Sequence, residues 1–235
     1  MTKIVVALFA RAGSKGVPGK NLLEFKGKSL TRRALEQAAE IVPLSSIFVS
    51  TDSKVIIDEA LSFGANVPFI RPDELCSDDS PELHSWKHLL NYLNEQVTHS
   101  PTILVVLPLT SPLRSTADIV GAIDMFSKNQ NRCDLVVSVN NCRKNPYFNM
   151  LESNGEDYLL LSKLNGSRAF RRQETPQVWE MNNAIYVGSA KYLLETKDIL
   201  NGRVLGYEMP VERSLDIDTN SDVNYLKYLE SKGDL

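Results

Sequence analysis

Short apolar runs rich in β-branched residues alternate along this chain with amphipathic segments of helical length, and no other feature restricts the fold as tightly. KIVVALF at 3–9, SIFVS at 46–50, TILVVLP at 102–108 and DLVVSV at 134–139 read as strands covered on both faces of a parallel sheet. Between them, 29–41, 53–63, 81–97 and 116–128 have helical length and spacing, with Ser115 or Asp118 placed to cap the last. Repeated strand–helix alternation predicts a doubly wound α/β fold with a mostly parallel sheet. With 235 residues, 43% of them hydrophobic, a single domain over 1–235 is expected, because two would each be short of core.

The alternation breaks at about 143–181, where NPYFNMLESNGEDYLLL sets an Asn-Gly turn between apolar and aromatic runs, the pattern of an inserted β-hairpin arm. The hairpin at 146–161 is too apolar to stand alone in water, which predicts packing against a second subunit in a homodimer. Strand character returns at 182–188 and 204–210, and SDVNYLKYLES at 221–231 closes the chain as a helix. A formal charge of −3 offers no basic field for nucleic acid, so an anionic ligand must find a local basic pocket. The opening MTKIVVALFA is too short to span a membrane and runs into a glycine-rich loop instead of a cleavage site, so no membrane association is expected. Cys76, Cys133 and Cys142 are odd in number and lack ligand spacing, which fits a reducing cytoplasm without disulfides.

The loop Ala10-Arg11-Ala12-Gly13-Ser14-Lys15-Gly16-Val17-Pro18-Gly19-Lys20-Asn21 follows the first strand directly, where α/β folds bind ligands. Its glycines let the backbone approach a polyphosphate closely, while Arg11, Lys15 and Lys20 neutralise charge, a combination suited to a nucleoside triphosphate. The glycine spacing fits neither G-x-G-x-x-G nor the P-loop, and Asn21 stands where a P-loop needs Ser or Thr. Such a loop is expected to be ordered by ligand more than by core packing.

From Ala10 to Asn21 the chain resembles the acylneuraminate cytidylyltransferases, or CMP-sialic acid synthetases, whose signature is close to A-R-x-x-S-K-G-x-P-x-K-N. The likeness continues in order through Ser50-Thr51-Asp52-Ser53, Arg71-Pro72-Asp73-Glu74-Leu75, Thr110-Ser111-Pro112-Leu113-Arg114, Arg172-Gln173, Asn182 to Val187 and Leu215-Asp216-Ile217-Asp218-Thr219. The resemblance implies a Rossmann-like nucleotidyltransferase in which the anomeric C2 hydroxyl of a nine-carbon keto acid sugar attacks the α-phosphate of CTP and releases pyrophosphate. It also implies a homodimer built through the arm.

By the same resemblance Arg11, Lys20 and Asp218 are the catalytic positions, and Ala12, Gly13, Ser14, Lys15 and Gly16 cradle the phosphates. Asn21, Arg71 and Ser80 fall near the cytosine and ribose, with Thr110 and Ser111 facing the cleft. Asp216 and Asp218, two apart, would put both carboxylates on one face of an extended segment to hold Mg²⁺; by spacing alone, Asp218 or Thr219 serves equally as a helix cap. A turn at Thr110-Ser111-Pro112 and a surface ion pair at Arg71 are the corresponding plain readings. Arg172, Gln173 and Tyr186 match sugar-contacting positions, an arginine fork suiting a carboxylate, although Arg172 also belongs to a basic run with Arg168 and Arg171.

Two departures bear on the sugar. Pro108 stands where relatives commonly carry glutamine, and Glu180 where some carry arginine, so the pocket is expected to read other substituents than those of N-acetylneuraminate. Legionaminic acid, another bacterial nonulosonate and an eight-carbon ulosonic acid are alternatives, and a sugar-1-phosphate acceptor or a non-catalytic CTP-binding regulator are the competing functions.

Overall fold

The computed structural model describes residues 3–13, 16–77, 79–96, 101–164, 166 and 170–233. In chain order it contains strands β1 (Ile4–Ala10), β2 (Glu24–Phe25) and β3 (Lys28–Ser29), helix α1 (Leu30–Ala39), β4 (Ile47–Thr51), α2 (Lys54–Phe63) and α3 (Glu82–Glu95). Then follow β5 (Ile103–Val106), α4 (Thr116–Lys128), β6 (Leu135–Asn141), β7 (Leu151–Ser153), β8 (Leu159–Leu161), β9 (Trp179–Ser189), α5 (Ala190–Glu195), β10 (Val204–Glu208) and α6 (Asn220–Lys232). Six strands form the central sheet in the order β10-β6-β9-β5-β1-β4. β1 pairs in parallel with β4 and β5, and β10 with β6, whereas β9 runs antiparallel to both β5 and β6. The fold is thus α/β with a mostly parallel sheet, as the alternation predicts.

Side chains alternate across β1 to supply two core layers. Val6, Leu8 and Ala10 pack with Leu35 of α1, Ile56 of α2 and Ile119 and Phe126 of α4, while Val5 and Ala7 meet Trp86, Leu89 and Leu90 of α3 and Leu193 of α5. Ser29, Ser53, Ser115 and Thr219 cap α1, α2, α4 and α6. Ser115 is therefore the cap of α4, with Asp118 completing a capping box and taking a two-pronged bond from Arg213 at 2.8 Å on each oxygen.

β7 and β8 form their own two-stranded sheet in the arm, closed through 154–158 with Asn154 N–H donating to Tyr158 O at 3.1 Å and Gly155 at φ 87. The connection is longer than a two-residue Asn-Gly turn. Around it Met150, Leu151, Tyr158, Leu159, Leu160, Leu164, Phe170 and Trp179 are exposed, eight large apolar or aromatic side chains within the arm. The three cysteines are free, and no helix among the described residues is long and apolar enough to cross a membrane.

Candidate active site

A cleft of about 400 Å³ opens at the carboxyl ends of β1 and β5, where the sequence places its ligand. Its walls come from Arg11, Lys20 and Asn21 of the loop after β1, Pro108 and Thr110 after β5, Arg71, Ser80 and Glu82 around the start of α3, Asn183 and Tyr186 of β9, and Asp216 and Asp218. Phe9, Trp86 and Tyr186 brace the floor, with the Trp86 and Tyr186 rings 5.1 Å apart and tilted by 60°. Such edge contacts add about 0.5–1.5 kcal/mol beyond burial and keep Tyr186 in place.

The loop after β1 is held by the protein itself in its second half. Val17 is buried with Phe25, Leu30, Ile217 and Leu226, and the turn at Lys20–Leu22 closes through Leu22 N–H donating to Gly19 O at 2.9 Å. The expectation of a ligand-ordered loop does not hold there, because a buried valine anchors the turn. Gly16 explains its own identity: a Cβ at that position would lie 2.2 Å from the carbonyl oxygen of Asp218, so the glycine lets the loop press against the acidic segment. Lys20 Nζ donates to Ile217 O at 2.9 Å and to Asp218 Oδ1 at 2.8 Å, joining the same two segments. Asn21 Nδ2 donates to Arg11 O at 3.1 Å, while the Ala12 amide is taken by Asp52 at 2.7 Å. Ala12 and Gly13 are exposed, and Ser14 and Lys15 lie outside the described residues.

Residues 216–218 belong to no helix or ladder strand, and Ile217 is fully buried between two carboxylates that both line the cleft. Thr219, not Asp218, caps α6, and its own capping box with Asp222 leaves Asp218 available to the cleft. Ile217 N–H donates to Thr110 O at 2.9 Å, fixing the acidic segment to the end of the β5 loop. Asp216 Oδ2 accepts from Asn183 Nδ2 at 3.1 Å; its Oδ1 is buried without a partner. Burial raises the Asp216 pKa, helped by the Asp218 charge and opposed by Thr110, Asn183 and Lys20. Glu82 is open to solvent on one side, yet its place in the cleft raises its pKa through desolvation and the charge of Asp216, against Arg71, Lys20 and Arg11.

Arg71 is buried, not a surface partner: it donates to Ser85 Oγ and leaves Nε without a partner, as Ser80 Oγ also is. Ser111 is buried and donates to Asn183 O at 3.2 Å, so it braces the wall from behind, outside the cleft lining. Arg172 and Gln173 line a separate hollow beside the arm, where Arg172 donates to the carbonyls of Cys142 and Arg143 at 2.7 and 2.6 Å. Glu180 likewise faces the arm and accepts from Asn140 at 3.2 Å, so only Pro108 of the two departures borders the cleft. Glu82 and Ser85 escape sequence reading, their only signal being position at a helix start, while Asn183 lies inside the Asn182 to Val187 block of the resemblance without a role of its own.

The family model described as cytidylyltransferase matches residues 5–232, nearly the whole described chain. The chain belongs to the cytidylyltransferase family. Its relatives include post-translational flagellin modification protein B of Campylobacter coli, 30% identical over 229 residues that cover 97% of this chain and 95% of that protein. The CMP-N,N'-diacetyllegionaminic acid synthase of Legionella pneumophila is 31% identical over 94% of this chain and 93% of its own length. An N-acylneuraminate cytidylyltransferase of Streptococcus agalactiae is 31% identical over 94% of this chain, which spans only 51% of that larger protein. Among solved structures, CMP:2-keto-3-deoxy-manno-octonic acid synthetase complexed with CTP superposes with a TM-score of 0.70 over 99% of this chain and all of that one, at 15% identity, a likeness of fold.

Proposed function

We propose that this cytidylyltransferase-family chain joins CMP from CTP to a sialic-acid-like α-keto acid sugar. The observation that carries the reading is the meeting of Arg11 and Lys20 with Asp216 and Asp218 in one cleft of a chain whose family and full-length relatives point to CMP-sugar synthesis. The anomeric C2 hydroxyl attacks the α-phosphorus, the α–β bridging bond breaks, and pyrophosphate leaves with its electron pair while the hydroxyl proton passes to solvent or a base. Negative charge then spreads over phosphate oxygens, where the Arg11 guanidinium, the Lys20 ammonium and loop amides stabilise it.

The described charges lining the cleft balance, Arg11, Lys20 and Arg71 against Glu82, Asp216 and Asp218, so the side chains alone do not neutralise a triphosphate. Asp216 and Asp218 fit Mg²⁺: both offer hard oxygens, and Oδ1 of Asp216 is buried without a partner. When bound there, the ion would supply Lewis-acid stabilisation of phosphate oxygens. Ser80, whose hydroxyl lacks a partner, and Arg71 suit the ribose and base, while Tyr186 and Pro108 border the acceptor side. Arg172 and Gln173 line a hollow beside the arm and not the cleft of their own chain, so they take no part in this reading of the acceptor site within one chain. The exposed apolar arm supports a homodimer, and the three free thiols suit the cytoplasm.

The test is pyrophosphate release from CTP and Mg²⁺ with a panel of nonulosonic acids, an eight-carbon ulosonic acid and sugar-1-phosphates. Turnover with a keto acid, lost with EDTA and not supported by ATP, is the expected result. Release with a sugar phosphate alone moves the chain to the competing nucleotidyltransferase reading, and CTP binding without release to the regulator reading.

A further inference from the structure

Asn183 stands in the left-handed region at φ 51, a conformation that disfavours side chains with a Cβ and that asparagine tolerates better than most. The surroundings impose it. Ser111 donates to the Asn183 carbonyl at 3.2 Å, Ser138 Oγ accepts from the amides of Ala184 and Ile185 at 3.1 and 2.8 Å, and the Arg114 guanidinium donates to Ala184 O at 2.6 Å. The β6–β9 register shifts beside Ser138, between Val137 and Val139. This bulge places the Asn183 side chain at the cleft wall, where Nδ2 donates to Asp216 Oδ2 at 3.1 Å and Oδ1 accepts from the Tyr186 hydroxyl at 2.8 Å. An ionised carboxylate only accepts, so the amide has one orientation that satisfies both neighbours.

We infer that Asn183 is a positioning residue for a divalent cation: together with the Thr110 hydroxyl it holds the Asp216 carboxylate, and its own bond goes to Oδ2 while the buried Oδ1 has no hydrogen-bond partner. The inference rests on the reading of Asp216 as a cation ligand. Backbone strain concentrates where surrounding structure holds a residue for function, and groups that orient a metal ligand typically matter about tenfold or more in metal affinity. Asn183 has both marks.

The experiment uses Mn²⁺ alone as probe, with free Mn²⁺ read by electron paramagnetic resonance in titrations of wild type, Asn183→Gly and Asp216→Asn, and melting temperature measured alongside. Glycine is at ease at φ 51, so Asn183→Gly is expected to keep a near-normal melting temperature while binding Mn²⁺ about tenfold more weakly. A folded Asn183→Gly chain that binds Mn²⁺ as wild type does, while Asp216→Asn loses it, overturns the positioning role and leaves the proposed function intact. Undiminished binding by Asp216→Asn overturns the cation-ligand reading itself, and the inference with it. Should Asn183→Gly not fold, Tyr186→Phe releases the amide from its other side and is read in the same way: weaker binding supports the role, unchanged binding refutes it.

Discussion

Replacing Lys20 with alanine separates folding from chemistry. The Nζ group makes two bonds, to Ile217 O at 2.9 Å and to Asp218 at 2.8 Å, and its Asp218 partner is 64% exposed. An ion pair so open to solvent contributes about 0–1 kcal/mol, and a carbonyl hydrogen bond about 1 kcal/mol net. Stability should therefore fall by roughly 1–2 kcal/mol, a few degrees in melting temperature for a chain of this size. In the transition state the ammonium would face charge developing on the transferred phosphoryl group, where losing one placed donor costs about 3–4 kcal/mol, or two to three decades in kcat. Lys20→Arg should rescue poorly, because a planar fork does not reproduce the geometry in which one compact ammonium bonds both Ile217 O and Asp218 Oδ1. Steady-state kinetics at saturating CTP beside thermal melts measure both quantities. Turnover within about threefold of wild type for Lys20→Ala would remove the lysine from the chemistry, and a collapse of folding would make it a structural tie.

Other outcomes follow from the same contacts. Gly16→Ala must push the loop off the Asp218 carbonyl, 2.2 Å from the added Cβ, so KM for CTP should rise with little loss of secondary structure by circular dichroism; unchanged kinetics would refute the coupling. The Asp134 carboxyl is held down to about 2 by hydrogen bonds from Arg203, below its ordinary value of 3.8. A depressed folded-state pKa contributes stability above the unfolded value and loses it as pH falls, so the urea-unfolding gap between wild type and Asp134→Asn should be present at pH 7 and shrink between about pH 4 and 2. A gap that does not narrow there refutes the pairing. Changing exposed Leu151, Leu159 and Leu160 together to serine should turn a dimer into a monomer in sedimentation; wild type sedimenting as a monomer at micromolar concentration would end the dimer proposal.

Much of the fold is legible because burial on both pleat faces leaves its mark in composition. VVALF and ILVV could hardly be anything but interior strands, and Ser115 or Thr219 before an acidic third position announces a helix start. Strand direction leaves no such mark: NNAIYV reads the same whichever way it runs, so the antiparallel course of β9 becomes visible only in its pairing with β5 and β6. The site divides in the same way. Arg11, Lys20, Asp216 and Asp218 lie in recognisable motifs, whereas Glu82 enters the cleft through the placement of α3, and Asn183, although inside a recognised block, is turned into it by a bulge, both set by distant packing. Arg172 shows the converse, a residue matched to the sugar site that the tertiary structure sets in a separate hollow beside the arm, outside the cleft of its own chain.

Phosphorus NMR of a single reaction tests the central claim most directly. CTP, Mg²⁺ and a nonulosonic acid are incubated with the chain, and the nucleotide products are followed without coupling enzymes. The account predicts that the three CTP resonances give way to one phosphodiester signal and one for pyrophosphate, in equal molar amounts and only when both the acid sugar and the cation are present. CTP left intact across the nonulosonic and ulosonic acids, or a diphosphate-bridged product formed from a sugar phosphate instead, would contradict it.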